Sequence, residues 1–187
     1  NSATISADKM NVVYRGVDNP MTISFAGVDP SKVSASASGL SKRGGSNYMM
    51  KPGSGAKVNI NVSSTLPDGS TARDSNEFRI KDLPNPTGLI SGEFDGVRKN
   101  RANLAISTVS AAFLDFDFDL TPRVTEFIFK VQGQPGIRVS GNKLNSAAKA
   151  ALQRAPQGSI VQIAQIKTTV PGVRTKATTP VSVELTD

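Results

Sequence analysis

Histidine, cysteine and tryptophan are all absent from this chain of 187 residues. Without histidine, a Ser-His-Asp triad and a His-ligated metal centre are both excluded. Without cysteine there is no thiolate nucleophile, no redox pair and no disulfide, an absence compatible with many compartments. Aromatic residues are few, eight phenylalanines and two tyrosines, which leaves little to stack on nucleic-acid bases. No apolar run approaches the length needed to span a bilayer. No signal peptide precedes Asn1, and the chain opens in the manner of a mid-strand cut, so a fragment of a longer protein is expected.

What is present is a modest, even excess of positive charge. The net charge is +7, from 22 basic and 15 acidic side chains. Residues 1–86 hold ten basic and seven acidic side chains, and residues 87–187 hold twelve and eight. A nucleic-acid binder concentrates its charge on one face or segment. A diffuse excess fits a soluble basic surface, and no nucleic-acid partner is expected.

The dominant local signal is period-two alternation broken by turn residues. Met10, Val12 and Tyr14 alternate with their neighbours, as do Met21, Ile23 and Phe25 after the loop Gly16–Pro20. Val33, Ala35 and Ala37 alternate with serines. Ala56, Val58, Ile60 and Val62 alternate with Lys57, Asn59, Asn61 and Ser63, one face apolar and one wet. Leu66-Pro67-Asp68-Gly69-Ser70 is a turn in which proline presets φ and glycine accepts a positive φ. Phe78 and Ile80 mark the last strand. With Ala3–Ile5 and Tyr48–Met50 this makes about seven strands over residues 1–83, an Ig-like β-sandwich without the Cys-Trp-Cys core.

Leu83-Pro84-Asn85-Pro86-Thr87 follows. Neither proline can donate to a ladder, and each holds the preceding residue extended. A short stiff linker is expected at 84–87, with a second domain over 88–187. There, Leu114, Phe116, Phe118 and Leu120 read as one face of a strand, turned by Thr121-Pro122-Arg123 into a partner strand carrying Phe127, Phe129 and Val131. Asn145 or Ser146 caps one short helix running to about Ala155. Ser159 to Val170 reads as a long strand with a bulge at Ala164-Gln165, and Val181, Val183 and Leu185 close the sheet. The fold class is all-β dominated, an Ig-like sandwich followed by a β-domain with one helix.

Asp115, Asp117 and Asp119 form the one carboxylate row. On a strand they stand parallel about 7 Å apart, whereas calcium needs six to eight converging oxygens. A solvated strand face is the expected reading; weak cation binding stays open. No catalytic, cofactor or metal residue is assigned. Gly44-Gly45 and Gly53-Ser54-Gly55 are followed by no helix, so neither reads as a phosphate cradle. Asn61-Val62-Ser63 fits the glycosylation pattern but lies within a strand. Arg98-Lys99-Asn100-Arg101 and Lys42-Arg43 read as basic loops, with Tyr48 an exposed aromatic beside the latter. Arg98, Lys99 and Arg101, the densest cationic group, are the candidate partner-binding residues, since exposed charge on a loop steers association.

Several strings resemble one family. Tyr14-Arg15-Gly16-Val17-Asp18-Asn19-Pro20 resembles the periplasmic β-domains of the GldM / PorM family of gliding motility and type IX secretion in Bacteroidetes. Pro52-Gly53-Ser54-Gly55 and Phe78-Arg79-Ile80-Lys81 are similar to its pattern, as are Leu114–Leu120, Val124-Thr125-x-Phe127, Ser140-Gly141-Asn142-Lys143-Leu144, Gly158–Ile163 and Ile166-Lys167. The resemblance implies C-terminal periplasmic domains of a homodimeric protein, anchored in the inner membrane by an N-terminal helix absent from this sequence. It implies an inner-membrane partner of the GldL / PorL type and a periplasmic ring of the GldK–GldN / PorK–PorN type. The chain is then a non-enzymatic scaffold and force-transmitting arm without cofactor. A tandem Ig-like adhesin or surface fibre module is the alternative. An enzyme built on carboxylates alone is the remote third class.

Overall fold

The computed structural model describes residues 3–7, 11–116 and 118–187. Its backbone divides into two compact units, Asn1–Leu83 and Pro84–Asp187.

Among its described residues the first unit contains eight strands: β1 (Ala3–Ala7), β2 (Val12–Tyr14), β3 (Asn19–Phe25), β4 (Val33–Ser36), β5 (Leu40–Gly44), β6 (Asn47–Met50), β7 (Lys57–Thr65) and β8 (Thr71–Lys81). They form two four-stranded sheets, ordered β1-β3-β6-β5 and β2-β8-β7-β4. The inward residues Met21, Ile23, Phe25, Tyr48 and Met50 of one sheet share a core with Val13, Val33, Ile60, Val62, Phe78 and Ile80 of the other. This is the Ig-like sandwich that the alternation predicts. The central hairpin pairs β7 with β8 in unbroken register from Lys57↔Arg79 to Thr65↔Thr71. Its turn behaves as the sequence indicates: Gly69 has φ +85, and Asp68 accepts from the Ser70 amide at 2.9 Å. Among the described residues of this unit one strand pairing is parallel, β2 with β8, in register Val12↔Arg79 to Tyr14↔Lys81. Met10, expected to open β2, lies outside the described residues. β5 is an eighth strand not foreseen. Beyond half-buried Leu40 both its faces are wet, and its Lys42-Arg43 pair reads as a loop although it guards a sheet edge.

In the second unit, β9 (Thr87–Ile90), β10 (Val97–Lys99), β11 (Val109–Ala112), β12 (Arg123–Val131), β13 (Ile137–Ser140), β14 (Ile160–Thr169) and β15 (Val181–Leu185) join two helices, α1 (Arg101–Ala105) and α2 (Ser146–Gln153). A five-stranded sheet runs β10-β15-β14-β12-β13, and β9 pairs with β11. Again one named pairing is parallel, β10 with β15. Asn145 caps α2, its side chain accepting from the Ala148 amide at 2.8 Å. Ala148, Ala151 and Leu152 join Phe127, Phe129, Val131, Ile163 and Val183 in the core. The bulge in β14 is where the alternation slips. Glu126 and Ile128, two apart, face Lys167 and Ala164, three apart, and Gln165 takes φ +46.

One strand expectation is corrected here, and two details are added. The described residues of the segment 114–120 form no strand. Leu114 and Asp115 make a turn, Asp115 has φ +52, and the Phe116 and Phe118 rings stack at 4.8 Å between centroids. Both edges of β12 are taken by β13 and β14, so the partner strand expected for this segment had no edge to offer it. A second helix, α1, joins the one expected. Finally, the proline segment bonds into the second unit. Asn85 Nδ2 donates to the Ala177 carbonyl at 2.8 Å, and the Thr179 amide donates to Pro86 O at 2.9 Å. Gly88 is required just beyond: a Cβ there would lie 2.3 Å from Thr179 O.

Candidate functional site

The segment Tyr14–Pro20 is a fastening. Gly16, at φ +87, lets the chain reverse between β2 and β3. Asn19 is buried, and its amide spans the loop. Nδ2 donates to the carbonyls of Tyr14 at 2.9 Å, Val17 at 3.1 Å and Met50 at 3.1 Å. Oδ1 accepts from the Tyr14 amide at 2.8 Å. Arg15 reaches outward. Its amide donates to Lys81 O at 2.8 Å. Its Nε meets Asp82 Oδ1 at 3.0 Å, Nη2 donates to Gly55 O at 3.0 Å, and Nη1 donates to Gly53 O. One guanidinium thereby joins the end of β2, the glycine loop before β7 and the end of β8, through charge-assisted bonds. Lys51 and Asp18 pair nearby at 3.3 Å.

Arg98, Lys99 and Arg101 are not a loop. Pairing with β15 draws Arg98 and Lys99 into β10, and Asn100 caps α1, accepting from the Asn103 amide at 2.8 Å. Lys99 Nζ meets Glu93 at 2.9 Å with its side chain 13% exposed. Arg101, 19% exposed, lies 3.8 Å from the Asp187 carboxylate and donates to Leu152 O at 2.6 Å. Only Arg98 stands largely in solvent, 64% exposed and 3.7 Å from Glu184. Arg101 and Gln134, whose Nε2 donates to Ala151 O at 3.1 Å, between them satisfy two carbonyls at the C-terminus of α2.

Asp115 and Asp119 are exposed on an irregular segment rather than a strand face; Asp117 lies outside the described residues. Among the described residues no group of three or more carboxylates could hold a metal ion. Tyr48 is buried in the sandwich core, contrary to the exposed position expected. Lys42 Nζ lies 5.8 Å from its ring centroid and donates to Pro30 O. Glu126 is held below the ordinary carboxylate range by a hydrogen bond from Lys167, with the Lys167 and Arg138 charges adding to the effect. Among the described residues no helix is long and apolar enough to cross a membrane.

Two family profiles cover nearly the whole chain. The profile described as GldM third domain matches residues 2–81. That described as GldM C-terminal domain matches residues 84–186. No curated protein matches. Among solved structures, the fibronectin(III)-like modules of CbhA from Clostridium thermocellum align at 15% identity over 97% of this chain and 93% of theirs, with a TM-score of 0.35. That score is too low to bear on fold or function. The two profiles fall in order on the two units of the structure, and the chain belongs to the GldM family of gliding and type IX secretion proteins.

Proposed function

We propose that these domains are a non-catalytic periplasmic scaffold and force-transmitting arm, linking an inner-membrane motor to an outer-membrane-associated ring. The observation behind this reading is the consecutive match of the two halves to the third and C-terminal domains of GldM. Such an arm needs folded modules whose ends are secured, and Arg15 and Asn19 supply that at the exit of the first unit. In this reading the whole protein is a homodimer, an isologous contact being the commonest arrangement. It meets a GldL / PorL-type partner through its membrane region and GldK–GldN / PorK–PorN-type proteins through the second unit. Of the three cations named from the sequence, Arg98 is the one free enough to steer a partner.

The test is replacement of the full-length protein in its host by a form lacking residues 84–187. The expected result is a stable, membrane-anchored protein that fails to co-purify ring components and fails in secretion. Normal secretion by that form refutes the arm reading. Arg98→Glu is expected to slow ring association at low salt and to leave thermal stability intact. Light scattering on residues 1–187 that reports a monomer at high micromolar concentration excludes dimerisation through these domains.

A further inference from the structure

We infer that the β2–β8 pair is a shear joint that sets the mechanical strength of the first unit under tension along the chain. This inference rests on the arm reading for its purpose, though not for its physics. β2 is near the start of the unit and β8 is its last strand. They run parallel, in register Val12↔Arg79, Val13↔Ile80 and Tyr14↔Lys81. β1 precedes β2 and pairs with β3, so it is loaded first; behind it, tension pulls β2 toward the N-terminus and β8 toward the C-terminus. In a parallel pair those forces oppose one another along the ladder, so every inter-strand bond is loaded at once. Had the strands been antiparallel, the same tension would open the bonds singly from one end.

The ladder is reinforced at both ends. The Arg79 amide donates to Asn11 O at 2.8 Å, and the Arg15 amide donates to Lys81 O at 2.8 Å. Beyond the last pair, Arg15 grips Asp82 and the carbonyls of Gly53 and Gly55. Sliding β8 past β2 must break these contacts together with the ladder. β8 is prevented from peeling away by its long pairing with β7, and Val13, Phe78 and Ile80 are buried beneath the joint. An exposed ion pair contributes little to equilibrium stability. Placed across a sliding plane, it raises the barrier to rupture, and forced unfolding is governed by that barrier.

Single-molecule force spectroscopy on residues 1–187 tests this. The native chain has no thiol, so handles on introduced cysteines attach at chosen sites alone. Pulling from the two termini shears the joint. Pulling between Asp18→Cys and Lys81→Cys applies force at one end of the ladder and unzips it. Under terminal pulling the units of 83 and 104 residues are told apart by released contour, about 300 Å against about 370 Å. The first unit is expected to rupture at a force at least about two-fold higher under terminal pulling than between positions 18 and 81, and Arg15→Ala is expected to lower the terminal value. Equal rupture forces in the two directions overturn the shear joint. That outcome leaves the arm reading standing, because its own test reads ring binding and secretion. A failure there leaves the directional strength of the isolated protein unaffected.

Discussion

Replacing Asn19 should cost the first unit a large part of its stability, and the pH at which it does so should depend on the replacement. Asn19 has two amide hydrogens for three carbonyls, so one is shared. Its Oδ1 takes the Tyr14 amide. Asn19→Ala removes all of these and strands buried polar backbone. At about 1 kcal/mol net per hydrogen bond, with about 1–3 kcal/mol for a buried group left unpaired, the loss is about 2–4 kcal/mol. A domain of this size holds about 5–15 kcal/mol in total. The corresponding fall in Tm is roughly 8–30 °C, at about 4–8 °C per kcal/mol.

Asn19→Asp is the sharper variant. It keeps the shape and the acceptor for Tyr14 N–H, but turns a donor toward three carbonyl oxygens into a carboxylate. Burial and facing oxygens both disfavour the charge, so the folded-state pKa is raised above the unfolded value of about 3.9. The folded state then binds more protons between those two values, and stability falls as pH rises through that window. At pH 7 Asn19→Asp should be at least as destabilised as Asn19→Ala. On acidification it should recover relative to wild type, because a protonated carboxyl regains one donor. Thermal unfolding followed by circular dichroism from pH 4 to 8 reads both effects. A loss below about 1 kcal/mol for Asn19→Ala, or an Asp variant that parallels wild type at every pH, refutes the account of Asn19 as the brace of this loop.

Gly88→Ala should destabilise the second unit by more than about 2 kcal/mol, because its Cβ would meet Thr179 O at 2.3 Å and Ile166 Cδ1 at 2.6 Å; a normal urea midpoint for that unit refutes the close approach. Arg101→Ala should cost about 1–2 kcal/mol through the lost bond to Leu152 O, while Arg98→Ala, which breaks only an exposed pair, should cost under about 0.5 kcal/mol; equal effects in denaturant titration contradict their assignment. The folded pKa of Glu126 is depressed below its ordinary value by the hydrogen bond from Lys167 and by the Lys167 and Arg138 charges. Its contribution is therefore full above that value and is lost as pH falls through the folded pKa. Glu126→Gln should lower stability at pH 7 and flatten the decline below about pH 4.5; an unchanged acid limb rules the pairing out as a source of acid sensitivity.

Strands were legible where one face is dry and the other wet. β3 buries Met21, Ile23 and Phe25 and exposes Pro20 and Thr22, and the apolar face of β7 is as regular. Beyond Leu40, β5 carries no such contrast, because an edge strand with charges on it solvates both faces. The segment 114–120 has the contrast, and its described residues still form no strand. Alternating phenylalanine and aspartate satisfies the pattern, but a strand also needs a free ladder, and β12 had none to offer. Alternation reports which side chains want burial, and whether a partner backbone is open is a property of the whole sheet. The α1 helix is hidden in the sequence for another reason. Five residues are too few for a helical period to show, and its Asn100 cap sits between Lys99 and Arg101 in a run of cations.

The fastening at Tyr14–Pro20 was legible as a string and opaque as a mechanism. Its positive φ and its turn are local, and Gly16 announces both. Its bonds are not local. Arg15 finds Asp82, Gly53 and Gly55 at separations of 67, 38 and 40 residues, and no spacing rule links such positions. The same holds in the second unit, where Arg101 meets Asp187 across 86 residues, just past the parallel pair β10–β15. In each unit an arginine shortly after an early strand closes on an aspartate shortly after the last one. A parallel pairing of early and late strands forces this separation, because the chain must cross the whole domain before the partners meet. A cation that reads as a solubilising surface charge in the sequence thus becomes a closure in the fold. The carboxylates that meet Arg15 and Arg101 lie at the far end of each unit's sequence, beyond any local pattern.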